Sequence, residues 1–272
     1  MGNSFRLKLL GGEIEFDFYG NDQVLIYRED IIEEALRLQK IFNLYDKNSE
    51  LSRLNQRGNL IVSEDLRYVL EDALHHCRIS GGEYDISKAT NFLEQKRGDK
   101  LSKLECSYKD IVLEGNLVKL QKGSKIDLGS IAKGYIGDKL KEFMQELGIE
   151  SAAIDLRGDI IIFGDTEEKI SIQHPRDTDQ IIGSVTLNNQ SIATSGDYRQ
   201  FHGSYDNSHI LNSKELISVT VIAGKLMTAD VLASAIFVSD EVYRDGIISR
   251  LPKDIKVLTV NKAVQIKKYN WD

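Results

Sequence analysis

The sequence predicts an α+β fold in which mostly antiparallel sheets pack against helices. Short alternating or β-branched runs recur along the 272 residues, and several are separated by turn pairs such as Gly115-Asn116 and Asn188-Asn189. Longer segments between them have apolar residues at helical spacing. Strands in hairpins interleaved with isolated helices are typical of an α+β architecture. With only two prolines and no low-complexity linker, residues 1–272 are expected to form a single domain.

The N-terminal half predicts a strand, two helices and a further strand region. Residues 13–20 alternate apolar and acidic side chains, which favours a half-exposed strand. Residues 28–45 repeat apolar positions at helical spacing and begin with acids that favour the helix dipole. Residues 63–80 form a second amphipathic helix with Ser63 as the predicted N-cap. Residues 110–130 predict two strands around a turn, followed by a third strand.

The C-terminal half alternates predicted helices and strands in the same way. A helix is expected over residues 132–149, and another over residues 228–239 with Thr228 as its cap. The predicted strands lie in residues 151–165, 169–175, 183–201, 217–224 and 255–269. Residues 183–201 contain a strand, a turn and a second strand, and residues 255–269 form a terminal hairpin.

Composition excludes several broad functions. The net charge of −7 argues against a general role in binding nucleic acid or membrane surfaces. Cys77 and Cys106 lack the spacing of a zinc site or a disulfide framework and are expected to be free thiols. The sequence shows no membrane-spanning run, signal-peptide pattern or lipid-attachment cysteine. It is therefore expected to be a mature or cytoplasmic protein, and its compartment stays open.

A tight turn before the helix at residue 132 has the composition of an anion site. Gly129 allows a sharp bend, Ser130 can expose an oxygen, and Lys133 follows Asp127 by six residues. Helix N-termini attract phosphate through their free N–H groups, and a lysine there opposes the dipole unless an anion is near. The alternative interpretation is a capping aspartate followed by an exposed lysine.

Two oxygen-bearing side chains are spaced for a cation on the helix at residues 228–239. Asp230 and Ser234 are four residues apart and therefore share one helical face. Such a pair can bind a hard cation such as Mg²⁺, with phosphate and water completing the coordination. The alternative is that Asp230 lies in the first turn and only stabilises the helix end.

Two further polar segments are candidates for ligand contact. Thr194, Ser195 and Gly196 leave a predicted strand as a run of small residues suited to backbone contact with a cofactor, although an ordinary loop has the same composition. His209 precedes an apolar pair and could serve as a general acid or base near neutral pH. A lone histidine is, however, often structural.

Taken together and in order, these segments resemble one family. The segments are residues 45–55, 81–87, 126–138, 192–201, 209–211 and 218–238. They resemble the ApbE family of FAD:protein FMN transferases, and they cover most of the chain. The blocks DLGSIAKG and TSGDYR are the most specific part of the resemblance.

The resemblance implies an activity, two cofactors and a partner. ApbE-like proteins have a T-fold-related architecture, bind FAD and Mg²⁺, and cleave the FAD pyrophosphate. They attach FMN to a Thr or Ser of an acceptor flavoprotein and release AMP. Acceptors in the family include subunits of membrane electron-transfer complexes. Family members are often exported and anchored at the membrane, and no nucleic acid is involved.

The resemblance also assigns roles by position. The Ser130 main-chain oxygen, Asp230 and Ser234 would bind Mg²⁺. His209 would be the general base. The residues that would contact FAD are Leu10, Tyr45, Glu83, Tyr84, Asp85, Asp127, Lys133 and Leu211.

Five departures from the family pattern leave alternatives open, and one of them is Asn43, which stands where a serine is usual. Ser130 replaces a glycine, Ser234 replaces a threonine, and Arg157 stands where a Gly-Gly pair is usual. Asn212 replaces the aspartate of the segment after His209, which bears on acceptor binding more than on FAD binding. An FAD pyrophosphatase that forms FMN and AMP, and a non-catalytic FAD-binding protein, are therefore the two alternatives to a transferase.

Overall fold

A computed structural model describes residues 3–20, 22–89, 106–197 and 215–271. Its helices are α1 (Arg28–Phe42), α2 (Glu50–Arg57), α3 (Glu64–Ile79), α4 (Ala132–Glu146), α5 (Leu226–Val238) and α6 (Glu241–Ile248). Its strands are β1 (Ser4–Leu9), β2 (Gly12–Phe18), β3 (Asn59–Ile61), β4 (Ile111–Glu114), β5 (Leu117–Leu120), β6 (Ala152–Asp155), β7 (Ile160–Phe163), β8 (Glu168–His174), β9 (Asp177–Leu187), β10 (Ser191–Gly196), β11 (Leu216–Ala223), β12 (Lys256–Asn261) and β13 (Ile266–Tyr269). The predicted mixture of helices and antiparallel sheet is confirmed.

One sheet of eight strands organises the fold, in the order β1-β2-β6-β7-β10-β11-β12-β13. All pairings between its neighbouring strands are antiparallel. Side chains alternate between its faces, so that Ile161 packs in the core with the helices and Ile162 in a second core under the β8–β9 hairpin. Every residue of β11 is buried, which explains why its sequence is a continuous β-branched run.

Local sequence signals account for several element boundaries. Ser63 caps α3, because its side chain accepts a hydrogen bond from the Leu66 amide, as predicted.

Cys77 is buried and Cys106 is half-buried, and both are free thiols, as expected. Burial raises the pKa of the Cys77 thiol to about 12. None of the helices in the described ranges has the length and apolar character needed to cross a membrane.

The prediction that Thr228 caps its helix is wrong. Helix α5 begins two residues earlier, at Leu226. The Leu226 and Met227 amides donate instead to the two carboxylate oxygens of Asp138 on α4, at 2.8 and 2.9 Å. Asp230 consequently lies in the second turn of α5, so that it does not act as a first-turn charge at the helix end.

One strand prediction is also wrong. Within residues 122–130 no strand forms; the structure has only a parallel bridge between Lys88 and Lys125. The predicted strand, turn and second strand around Asn188-Asn189 are confirmed, and the two strands belong to different sheets. β9 pairs with β8 in a separate two-stranded sheet, whereas β10 joins β7 and β11 in the large sheet. A third sheet has the order β3-β5-β4.

Candidate active site

The N-terminus of α4 meets α5 at a buried carboxylate. The Gly134 amide donates to Asp230 Oδ2 at 3.1 Å, which joins positions 96 residues apart. Glycine is required at this contact, because a Cβ atom on residue 134 would lie 2.6 Å from Met227 Cα. The first turn of α4, which follows the turn containing Asp127, and the helix containing Asp230 therefore lie side by side.

Tyr84 lies beside the turn that precedes α4. Its hydroxyl is 2.8 Å from Ser130 Oγ, and the Asp127 amide donates to the Ile86 carbonyl at 2.9 Å. Residues 83–87 thus run beside residues 125–130. Burial raises the pKa of Tyr84 well above its ordinary value, so that the phenol stays protonated and can donate a hydrogen bond.

Two of the predicted cofactor-binding aspartates use their carboxylates to form turns. Asp85 Oδ1 accepts hydrogen bonds from the Ser87 amide and hydroxyl, at 2.9 and 2.7 Å. Asp127 Oδ1 accepts the Gly129 amide at 2.8 Å. These Asx turns shape the main chain around the site.

The C-terminal end of β10 packs against the same face of α5. Ser195 Oγ is 2.9 Å from Ser234 Oγ, and both side chains are buried. Thr194 Oγ1 is 2.9 Å from Thr220 Oγ1 on the neighbouring strand. The run Thr194, Ser195 and Gly196 is therefore part of a regular strand beside Asp230 and Ser234, and the ordinary-loop interpretation is wrong.

Asp159, which the sequence analysis did not select, joins α4 to β10. One carboxylate oxygen forms an ion pair with the Lys133 ammonium, and the other accepts the Thr194 amide at 3.2 Å. The Asp159 side chain is 2% exposed and that of Lys133 is 24% exposed, so Lys133 is not the exposed lysine of the alternative interpretation. The only sequence signal for Asp159 was an acid directly before the apolar run of β7.

Charge is concentrated where these elements meet. Burial, and secondly the nearby Asp159 carboxylate, raise the pKa of Asp230 to about 7, while Lys133 acts in the opposite direction. A buried carboxylate with a raised pKa lacks full compensation of its negative charge. A cation bound beside it would supply that compensation.

The oxygen atoms at this junction suit a hard cation. The Asp230 carboxylate and the Ser234 hydroxyl lie on one face of α5, and Ser130 precedes by four residues Gly134, whose amide contacts Asp230. Within the described ranges no three His, Cys, Asp or Glu side chains group together as a metal site. A cation here would therefore rely on one carboxylate together with hydroxyl, main-chain and ligand oxygens.

Leu10 and Tyr45 lie at the periphery and connect to the site through other elements. The Leu10 amide donates to Gln39 Oε1 at 2.7 Å, and its carbonyl accepts a hydrogen bond from Arg157 at 2.8 Å. Arg157 has a φ of 63°, in the left-handed region that favours glycine. Tyr45 is 65% exposed.

Helix α2, which the sequence analysis did not predict, connects the Tyr45 segment to the Asp127 turn. The Ser52 hydroxyl donates to the Asn43 and Leu44 carbonyls, at 3.2 and 3.0 Å. Asn55 makes two hydrogen bonds with the main chain of Ile126, at 2.7 and 2.8 Å. Glu83 is half-buried at the other side of the site. The predictions for His209 and Leu211 fall outside the described residues.

A cleft of about 380 Å³ opens on a different side of α4. Its lining includes Asp65, Tyr68, Tyr135 and Lys225, and contains none of the residues predicted to bind FAD or Mg²⁺. The Asp65 carboxylate already accepts hydrogen bonds from Tyr135 and Arg37, at 2.5 and 3.0 Å. We therefore place the candidate site at the junction around Asp230 and not in this cleft.

Comparison with known proteins identifies one family over nearly the whole chain. The ApbE family profile matches residues 1–259. A protein of Haemophilus influenzae named FAD:protein FMN transferase is 27% identical over 86% of this chain and 80% of its own length. A protein of Klebsiella pneumoniae with the same name is 35% identical, but the match covers 43% of this chain and 40% of that protein.

Solved structures confirm the fold. The ApbE protein of Thermotoga maritima superposes with a TM-score of 0.86 at 23% identity, covering 99% of this chain and 97% of that structure. The flavin transferase ApbE of Vibrio cholerae gives a TM-score of 0.78 at 22% identity, with the same coverage. With the family profile matched over nearly its full length, the chain belongs to the ApbE family.

Proposed function

We propose that this protein is a Mg²⁺-dependent FAD:protein FMN transferase. It would cleave the pyrophosphate of FAD, attach FMN to a Thr or Ser of an acceptor flavoprotein, and release AMP. Family membership and the names of the relatives support this activity. The structural observation in its favour is the contact between Gly134 and the buried Asp230, which brings a carboxylate to the N-terminus of α4.

The Mg²⁺ ion would be bound by Asp230, Ser234 and the main-chain oxygen of Ser130. When bound, it would neutralise the diphosphate and stabilise charge on the departing AMP. The replacements at two of these positions keep the required atoms. Ser130 retains a main-chain carbonyl, and Ser234 retains the hydroxyl of the usual threonine.

The FAD phosphates would lie near Lys133 and the N-terminus of α4, where an ammonium and helix amides favour an anion. Tyr84 and Ser130 would line this region together with the Asp127 turn. Tyr45, Glu83, Asp85, Leu10 and Leu211 would complete the flavin contacts, and Thr194, Ser195 and Gly196 would border the cofactor along β10.

His209 would act as the general base that removes the proton from the acceptor hydroxyl. The hydroxyl oxygen would then attack the phosphorus of the FMN half and form a phosphoester, while the bond to AMP breaks. The acceptor would be a protein with an exposed Thr or Ser, such as a subunit of a membrane electron-transfer complex.

A direct test incubates the full chain with FAD, MgCl₂ and an acceptor domain from a flavin-carrying subunit. Flavin fluorescence should appear on the acceptor band in a denaturing gel. The Asp230→Ala variant should lose it. Asp110→Ala is a matched control, because Asp110 is also a buried aspartate but lies in the small sheet region. Absence of labelling by the wild type would contradict transfer.

The replacement of an aspartate by Asn212 favours FAD pyrophosphatase as the second candidate, because it alters the segment assigned to acceptor binding. This activity would produce AMP and free FMN without any acceptor. Separation of the nucleotides by chromatography distinguishes the two activities. FAD binding without AMP release, with or without Mg²⁺, would instead identify a non-catalytic flavin-binding protein.

A further inference from the structure

We propose that Asp159 is a positioning residue that fixes Lys133 and the C-terminal end of β10 for FAD. The inference rests on the proposed function. Asp159 contacts both elements at once, through the Lys133 ammonium on one oxygen and the Thr194 amide on the other. A lysine side chain has four rotatable bonds, so that its ammonium occupies one place only when a partner holds it.

The two side chains of the ion pair differ in burial. Asp159 is almost fully buried, while Lys133 reaches from the first turn of α4 and stays a quarter exposed. An ammonium has three N–H donors, so contact with a carboxylate can coexist with contact to a phosphate. The carboxylate therefore lies behind the ammonium and orients it toward the open side of the site.

The second oxygen of Asp159 extends this effect to the cation-binding face. Thr194, whose amide it accepts, is followed by Ser195, and the Ser195 hydroxyl contacts Ser234 on α5. One carboxylate thus links the predicted phosphate-binding lysine to the strand that borders Ser234. Neutral asparagine at this position would keep the size of the side chain but weaken its attraction for the ammonium.

A purely electrostatic role for Asp159 predicts the opposite effect. FAD is an anion, and a carboxylate near its site repels it. If Asp159 only contributed negative charge, its neutralisation would strengthen FAD binding. If Asp159 positions Lys133, neutralisation weakens FAD binding. The sign of the change therefore separates the two roles.

The test compares Asp159→Asn with Asp110→Asn in the full chain. Asp110 is a matched control, since its two oxygens also accept one amide, from Ser107, and one ammonium, from Lys122, at 2.9 Å each. Both variants remove a buried aspartate paired with a lysine. Kinetics of FMN transfer and calorimetric binding of FAD are measured for each.

We expect Asp159→Asn to raise KM and the dissociation constant for FAD about tenfold or more, while Asp110→Asn stays within about twofold of the wild type. Lys133→Met should show a similar loss. The double variant should be no more than about threefold worse than Lys133→Met, because both changes remove one interaction. If Asp159→Asn does not fold, Asp159→Glu is measured in its place: it keeps the charge but displaces the carboxylate, so positioning predicts a raised KM for FAD and a purely electrostatic role predicts no change.

Two results would overturn the inference while leaving the proposed function intact. One is a wild-type protein that transfers FMN together with an Asp159→Asn variant whose KM is unchanged or lower. The other is a double variant whose loss is the product of the two single losses. A wild type that neither binds FAD nor transfers FMN would contradict both proposals.

Discussion

The Asp230 carboxylate is more stable protonated in the protein alone, whereas binding to a cation requires it to be deprotonated. Burial and Asp159 raise its pKa to about 7 from an ordinary value of 3.8. A group with a raised pKa in the folded state stabilises the fold below its unfolded pKa and loses that contribution as pH rises through the folded value. Without a divalent cation, stability contributed by Asp230 should therefore fall between about pH 4 and pH 7.

This linkage predicts a pH-dependent effect of Mg²⁺. At pH 8 the deprotonated Asp230 should bind Mg²⁺, so that a 10-fold higher MgCl₂ concentration should raise the melting temperature. At pH 6 protons should compete with Mg²⁺ for the carboxylate, so that the rise in melting temperature should be smaller. About one proton should be displaced for each cation bound. Thermal denaturation at both pH values measures this.

Asp230→Asn supplies the control for that prediction. The amide cannot titrate, so the variant should lose the response to Mg²⁺ at both pH values. An Mg²⁺ response of equal size in the variant and the wild type would show that the cation binds elsewhere.

Residues of the site were predictable where their spacing along one element determines their position. Asp230 and Ser234 share a face because they are four apart on a helix, and Lys133 lies in the first turn of α4 as expected. Asp159 was missed because its role depends on partners from α4 and β10. The pairing of β7 with β10 brings Thr194 near Asp159, and Lys133 reaches Asp159 from α4.

At the scale of elements, close packing of α4 against α5 sets the geometry of the site. Gly134 lies against the main chain of Leu226 and Met227, and Gly137 lies against the Leu226 side chain. The two helices approach closely because neither glycine has a side chain. Asp230 can accept the Gly134 amide only at this separation.

Gly134→Ala should therefore destabilise the fold and weaken FAD binding together. The added methyl would lie 2.7 Å from the Leu226 carbonyl oxygen, so that α5 must move. We expect a loss of about 1–3 kcal/mol in the free energy of unfolding, measured with urea.

Gly246→Ala is the matched control, because no atom lies within 4 Å of a Cβ built at that helical position. It should stabilise the protein by up to about 1 kcal/mol and leave FAD binding unchanged. Equal effects of the two substitutions would contradict a packing role for Gly134.

Asp138 fixes the start of α5 by accepting two of its free amides. Asp138→Ala should cost about 1–2 kcal/mol of stability and should also weaken FAD binding, since Asp230 lies one turn further along α5.

Asp240→Ala is the control for Asp138→Ala, because it removes the N-cap of α6, where the carboxylate accepts the Tyr243 amide. It should cost about 1 kcal/mol without changing FAD binding. Urea denaturation and FAD titration of both variants check this.

Long helices were predictable from the sequence, and short ones were not. α1 and α3 have 15 and 16 residues, which gives several helical repeats of apolar positions. α2 and α6 have eight residues each, too few for a clear period. The predicted start of α5 was wrong because the side chain that caps this helix is Asp138, 88 residues before Leu226, and not an adjacent residue.

At the scale of the whole molecule, two cores lie on opposite faces of the eight-stranded sheet. The helices cover one face, and the β8–β9 hairpin covers the other with residues such as Ile172 and Leu187. The turn at residues 188–189 separates two strands as predicted, but β9 pairs with β8 and β10 joins the large sheet. Sequence alone does not specify which sheet a strand joins, because the alternation is the same in both.

The β8–β9 hairpin is joined to the large sheet by a bidentate ion pair. The Arg176 guanidinium, between β8 and β9, donates to both oxygens of Asp197 at 2.6 and 2.8 Å. Asp197 is 3% exposed and directly follows β10. Removing one partner leaves a buried charge without compensation, whereas replacing both avoids that penalty.

Arg176→Met should therefore destabilise the protein by about 3 kcal/mol, and the double variant Arg176→Met/Asp197→Asn should be less destabilised than this single variant. Hydrogen exchange should show the largest loss of protection in β8 and β9, because the remaining core with the helices is untouched. Arg6→Met is the control, since Arg6 pairs with Glu15 on the exposed surface and should change stability far less than Arg176→Met does. A double variant less stable than Arg176→Met would show that Asp197 stabilises the strand end through other contacts.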